Sequence, residues 1–352
     1  MTPVEIVNAR RVINGPSDNL RAVSYQRYNW VNPLWDKLLS NNWVVEQVTL
    51  TRDKVEYKDL TEGQKTAYMR AAAFLSNLDS IQTDNLSNNI VHLITDPGIR
   101  SLVYRQLYEE ALHTRAYSNM IETVFESDPM VIYNLSNTVP ELIKKNKLIT
   151  DQGKLVTLQP TNENKILALV SNMILEGVYF FNGFLTFYAI NRMSGKMQGS
   201  TDNIQYIQRD EETHLEIFIN AFLSCKQENE ELFTPDLYKK IKQRFVEAAE
   251  LEANWGKFLI EKGLSGITEE IMDAYPRYLV NKRAAAIGIA TIFPEHTNDP
   301  VPWVLEQYSN INNGKKNFFE SKPLTYTETN PTFSKKKTRV RLTSGGDEVV
   351  YS

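Results

Sequence analysis

The sequence predicts an all-α protein. Apolar residues recur at steps of three and four through long stretches, the spacing that gathers one face of a helix. The alternation that marks β-strands is scarce throughout. Breaks such as Asp96-Pro97-Gly98 fall between the periodic stretches, not inside them.

Taken in order, residues 1–32 are polar and mixed and read as an irregular N-terminal arm. PLWDKLLSNN, 33–42, has the spacing of a short helix. TLTRDKVEYKDLTEGQK reads as a connection that ends in a helix start, with Thr61 as N-cap. Long helices are predicted over about 62–90 and 98–126. Residues 128–147 predict a further helix, and the polar stretch NKLITDQGKLVTLQPTNEN a loop. The most apolar stretch, KILALVSNMILEGVYFFNGFLTFYAIN, predicts a helix over about 163–191. A turn with Gly195 and Gly199 leads to a fourth long helix over 200–224, with two more over 234–261 and 265–286. From residue 312 the chain is polar, carries KKK and has few aliphatics, which predicts a flexible C-terminal tail outside the core. The expected organisation is an arm (1–32), a helical domain (33–311) and a tail (312–352).

Composition narrows the function. The 352 residues are 42% hydrophobic and 23% charged, an ordinary globular balance. A net charge of −4 gives no bulk field for nucleic acid or an anionic membrane, so neither is an expected partner. The single Cys225 forms no internal disulfide, which fits a reducing compartment. The first residues lack a signal-peptide core, and no run of about 18 apolar residues stands out. A cytoplasmic location is the expectation.

The chemistry is concentrated in two short motifs. EEALHTRAY, residues 109–117, places Glu110, His113 and Tyr117 at steps of three and four. RDEETH, residues 209–214, repeats the step with Glu211 and His214. Two of the four histidines thus come three residues after a glutamate on helices with apolar flanks. One such motif has a plain alternative, a solvated or core-satisfied histidine; the pair is far more specific. A two-metal carboxylate site in a helix bundle needs one further carboxylate from each of two more helices. Asp79 in FLSNLDSIQ and Glu176 in NMILEGVYFF are the candidates. An ionised glutamate among Met, Ile, Leu, Val and Phe is costly unless paired, metal-bound or protonated. Four carboxylates and two imidazoles suit iron or manganese. Tyr117, one turn beyond His113, is either a structural tyrosine or a phenol placed for one-electron oxidation. His92 and His296 lack a partner pattern and are read as non-ligands.

As a set, Asp79, Glu110-xx-His113-xxx-Tyr117, Glu176 and Arg209-Asp210-Glu211-xx-His214 resemble the small, radical-generating subunit of class I ribonucleotide reductase, from about residue 25 to about 326. The resemblance implies a ferritin-like helical bundle with extra helices, and a homodimer. It implies a dinuclear centre held by Asp79, Glu110, His113, Glu176, Glu211 and His214, with two iron ions per chain as a diferric-oxo centre and manganese as the alternative. Tyr117 would carry a stable radical in a pocket of Phe180, Phe184 and Ile207. Trp43 and Asp210 would lie on a transfer path, and Tyr326 would continue it in a tail docking on a separate large subunit that reduces ribonucleotides. One departure is local: the family usually has a proline and two acids after this tryptophan, where Trp43-Val44-Val45-Glu46-Gln47 stands here. Tyr351 competes with Tyr326 for the tail role.

Other readings of the same residues are an iron-storage or ferroxidase protein, a metal oxidase acting on a small or lipid substrate, and a metal-free helical interaction protein with Glu176 protonated. Storage needs neither Tyr117 nor Trp43 nor a tail. Tyr326→Phe is expected to keep any tyrosyl signal while abolishing turnover with the large subunit. Persistent turnover would transfer the role to Tyr351.

Overall fold

The computed structural model describes residues 2–307 except 17, 19, 22 and 127. Fourteen α-helices and no strand occur among them, apart from an isolated bridge between Leu264 and Ile267. In chain order they are α1 (Pro3–Ala9), α2 (Val31–Ser40), α3 (Thr51–Glu56), α4 (Glu62–Asn85), α5 (Val91–Leu93), α6 (Pro97–Val124), α7 (Pro129–Tyr133), α8 (Leu135–Thr138), α9 (Pro140–Leu158), α10 (Asn162–Ile174), α11 (Phe181–Ser194), α12 (Gln198–Glu228), α13 (Pro235–Leu259) and α14 (Glu269–Ala286).

The helix starts obey local chemistry. Thr61 caps α4 and Gln64 reaches back to the Thr61 amide, a complete capping box. Asp96 accepts from the Ile99 amide and Pro97 occupies the first turn of α6. Thr161, Thr234 and Thr268 cap α10, α13 and α14 in the same way.

Four long elements form the central bundle. α4 packs on α6, α6 on α12, α12 on α10 and α11, and α11 on α4. α13 and α14 pack against each other and against α11. Two π-helical turns interrupt the bundle, Leu86–Ile90 after α4 and Leu175–Tyr179 between α10 and α11. Such turns hold one residue more than an α-turn and shift the register of the helix beyond them.

Several expectations need correction. The arm is not wholly irregular: α1 is capped by Thr2, and Arg10, Val12 and Ile13 behind it are buried. Residues 51–59, read as a connection, form α3 and a 3₁₀ turn. The predicted helix at 128–147 is three helices, because Asp128-Pro129 and Pro140 each start a new one. The predicted loop after it is the second half of α9, which runs to Leu158. Its polarity masked an inward stripe of Leu142, Lys145, Ile149, Gly153 and Val156 at helical steps. Asn162–Ser194 is also long and apolar enough to cross a membrane, but its most apolar 18 residues are wholly buried inside the protein. The tail residues Phe318, Phe319, Tyr326 and Tyr351 lie outside the described residues.

Lys145 on the α9 stripe forms a fully buried ion pair with Glu252 of α13. Burial pulls the lysine down to about 8 and pushes the glutamate up to about 7, with their mutual attraction opposing both shifts. Removing one partner strands the other charge in the core. Lys145→Ala is therefore expected to lower stability by about 3–5 kcal/mol in urea melts, and Lys145→Met with Glu252→Gln by distinctly less.

Candidate metal centre

All six predicted ligands come together with no solvent exposure. α4 supplies Asp79, α6 supplies Glu110 and His113, the second π turn supplies Glu176, and α12 supplies Glu211 and His214. The Glu-x-x-His step works because residues three apart share a helical face. Two donor groups result, Asp79–Glu110–His113–Glu211 and Glu110–Glu176–Glu211–His214, each with donor atoms within 4.8 Å of one another. Glu110 and Glu211 belong to both, so the arrangement is that of two adjacent cation sites with two shared carboxylates.

Unsatisfied atoms mark the same place. Both oxygens of Asp79, Oε2 of Glu110, Oε2 of Glu176, Oε1 of Glu211 and Nδ1 of His113 are buried without a hydrogen bond. Buried polar atoms are ordinarily satisfied. His113 Nδ1 lies 3.0 Å from Glu211 Oε1, and His214 Nδ1 lies 2.8 Å from Glu211 Oε2 and 3.3 Å from Glu110 Oε1. The nitrogens and carboxylate oxygens converge on a small volume that a pair of cations would satisfy. The residues present therefore fit a dinuclear metal centre.

The surroundings orient the candidate ligands. His113 donates from Nε2 to Asp210 Oδ2 at 3.2 Å, which leaves Nδ1 facing the carboxylates. Asp210 also accepts from Trp43 Nε1 at 2.7 Å and from Arg209. His214 donates from Nε2 to Glu109 Oε2 at 2.9 Å, and Arg105 holds Glu109 at 3.0 Å. The two histidines are thus supported crosswise. Asp210 on α12 holds the histidine of α6, and Glu109 on α6 holds the histidine of α12. Both arginines reach one loop, Arg209 bonding the Asn41 carbonyl and Arg105 the Asn42 amide oxygen. Glu176 accepts at Oε1 from both Gln82 and Gln106, leaving only Oε2 free.

Glu109, Arg105, Gln82 and Gln106 were not anticipated. A signal for Glu109 exists: each Glu-x-x-His is directly preceded by an acid, Glu109 in one motif and Asp210 in the other. The amides carried none.

Of the other predicted residues, Tyr117 is wholly buried and its Oη has no hydrogen-bond partner. Burial, and after it Asp79 and Glu211, hold its phenol well above its ordinary pKa, so it stays protonated. Phe180, Phe184 and Ile207 are buried core residues, with Phe180 stacked on Phe184. Trp43 stacks on His113 and on Tyr206. Glu46 lies at the surface beside Arg115, away from the ligands. His92 and His296 belong to neither donor group.

A buried dinuclear carboxylate site in a ferritin-like helical bundle defines the class, that of the dimetal-carboxylate proteins. The ribonucleotide reductase small chain family model matches residues 22–300. The chain is 33% identical over 330 residues to the ribonucleoside-diphosphate reductase subunit beta of Treponema pallidum, covering 92% of each chain. It is 30% identical over 320 residues to that of Halalkalibacterium halodurans, covering 90% of this chain and 91% of the relative. The ribonucleotide reductase R2 subunit from Clostridium botulinum has a similar structure, with a TM-score of 0.82 at 33% identity, covering 85% of this chain and 94% of that one. The chain belongs to the ribonucleotide reductase small chain family.

The metal-free ligand set stores protons. Burial opposes charging of His113 and His214, but the carboxylates around them, Glu211 foremost, raise both well above the ordinary 6.5. Burial and then Glu110 and Glu211 raise Asp79 and Glu176 above 3.8 and 4.5. Burial works against ionising Glu211, yet the two imidazoles bring it below the usual carboxylate range. Four raised groups bind more protons folded than unfolded, so the metal-free protein loses stability as pH rises past those ordinary values. The Glu211 contribution is lost only as pH falls below its ordinary 4.5 and is flat at neutral pH. Loading manganous ion is therefore expected to release protons into a weak indicator buffer, and its gain in Tm should grow from about pH 6 to about pH 8. A pH-independent gain without proton release would show the ligands already deprotonated.

Proposed function

We propose that this chain is the radical-generating small subunit of a class I ribonucleoside-diphosphate reductase, with Tyr117 as the radical residue. The observation that carries the reading is the buried, unpartnered Tyr117 phenol, one helical turn from the ligand His113 and under the charge of Asp79. Asp79, Glu110, His113, Glu176, Glu211 and His214 would hold the metal ions, which would supply oxidising power with oxygen or a reduced oxygen species.

With that centre loaded, Tyr117 would be the residue that gives up one electron. Its raised pKa means the proton would have to leave as the electron does, and Asp79 is the carboxylate whose charge bears most on it. The buried Phe180, Phe184 and Ile207 keep water from the radical. Asp210 and Trp43 join His113 to the stacked Tyr206 by hydrogen bond and ring contact, a path for returning the oxidising equivalent. Tyr326 continues it in the tail, toward a large subunit that reduces ribonucleotides to deoxyribonucleotides. Family membership supports that partner, a homodimer, and a cytoplasmic setting. Iron is the metal we propose; the hard carboxylate and imidazole donors accept manganese as well.

Metal-free protein given ferrous iron and oxygen should bind about two ions per chain and develop a tyrosyl signal by electron paramagnetic resonance. Tyr117→Phe should keep the ions and lose the signal, and with it reductase activity. A surviving tyrosyl signal would remove Tyr117 from the role. Glu176→Ala should lower the metal count, and an unchanged count would exclude it as a ligand.

A further inference from the structure

Glu176 is the one ligand that does not sit on a regular α-helix. It lies in the π turn Leu175–Tyr179, where the backbone ladder is interrupted. Backbone groups around that interruption need partners from elsewhere. Three buried side chains supply them. Lys145 of α9 donates to the Tyr179 carbonyl at 3.2 Å. Glu252 of α13 accepts from the Asn182 amide at 3.2 Å. Arg283 of α14 donates to the Gly177 carbonyl at 3.2 Å. The approach is close: a Cβ on Gly177 would stand 3.0 Å from Arg283 Nε and 3.1 Å from Leu215 Cδ1.

Lys145 and Glu252 bond to each other as well as to the C-terminal end of the turn and the first turn of α11 just after it, and neither is exposed. Lys145 also lies 3.8 Å from the centre of the Phe74 ring, an apolar wall that holds the ammonium in place. Asn182 is anchored a second time, its side-chain amide donating to the Glu252 carbonyl at 2.9 Å and the Met272 carbonyl at 3.1 Å. A buried ion pair is weak evidence for stability, because desolvating two charges offsets their attraction. Bracing the break in the helix that carries Glu176 gives this pair another use.

We propose that the Lys145–Glu252 pair is a positioning device for Glu176, holding the π turn open so that the glutamate faces the metal centre. If the turn closes to α-helix, one residue leaves the register and Glu176 swings by about 100°. Asp79, Glu110, His113 and Glu211 come from α4, α6 and α12 and are untouched by that change. The effect therefore falls on the cation site built with Glu176 and His214, not on the one built with Asp79 and His113. Gln82 and Gln106 fix the carboxylate once it is there, and the ion pair fixes the backbone beneath it.

The inference rests on the dinuclear reading, and the experiment separates the two. The full chain is titrated with manganous ion while the free aquo ion is counted by electron paramagnetic resonance. The unaltered protein should take up two ions; failure to do so overturns the dinuclear reading itself. Lys145→Met with Glu252→Gln removes both charges without stranding either. It should bind the first ion within about twofold of normal and the second at least about tenfold more weakly. Phe222→Leu, at a buried ring packed on Phe233, reports what a loosened core does alone. Unchanged affinity for both ions overturns the proposal, and so does an equal weakening of both that Phe222→Leu reproduces. Should the double variant not fold, Arg283→Met replaces it, with the same selective loss expected and an unchanged second affinity overturning the role of the turn.

Discussion

Four carboxylates buried within reach of one another are the constraint on which this structure turns. Asp79, Glu110, Glu176 and Glu211 share a volume without solvent. Like charges at that spacing in a low-dielectric interior cannot all remain ionised unless cations join them. Without metal the protein answers with protons, raising Asp79 and Glu176 and charging two imidazoles. With metal the same groups become donors. The bundle is thus built around an electrostatic problem that its cofactor solves, and much of the buried polarity nearby serves to hold that problem in one shape.

That shape is imposed from outside the ligand set. Asp210, Glu109 and Gln82 each bond one of the clustered side chains and Gln106 bonds two, Glu176 and Glu110, which decides the atoms left free. The loop at Asn41, Asn42 and Trp43 gathers the outer ends of both histidine supports. A short stretch far from the ligands in sequence thereby ties α6 and α12 to α2. Tyr117 differs from all of these because it is given no partner. A phenol deprived of hydrogen bonds in a dry pocket has little to gain from ordinary structure, which is why its placement points to chemistry.

Most of the long helices and the two Glu-x-x-His motifs were legible in the sequence because both depend on steps of three and four. Asp79 and Glu176 were legible for another reason, as acids inside apolar helices with no partner nearby in sequence. What stayed hidden depended on contacts between distant segments. Glu109 shares the acid-before-glutamate pattern of Asp210, yet its histidine lies on another helix. α9 was half lost because a polar surface disguised a helix whose inward stripe includes a lysine and a glycine. Lys145 belongs inside only because Glu252 meets it there, 107 positions along the chain. The π turns left no mark on the hydrophobic pattern, since one inserted residue shifts a stripe without erasing it.

The crosswise support of the two histidines has a mechanical consequence. Each of the paired helices grips a ring that belongs to the other, so neither can slide along its axis without breaking both grips. A slip of one residue is a travel of about 1.5 Å, enough to part a hydrogen bond. α6 and α12 therefore behave as a keyed joint, stiff in shear while still free to vary in their surface residues. Any motion that exports an oxidising equivalent from this centre has to leave that joint locked, and is confined to side chains and to the segments outside it.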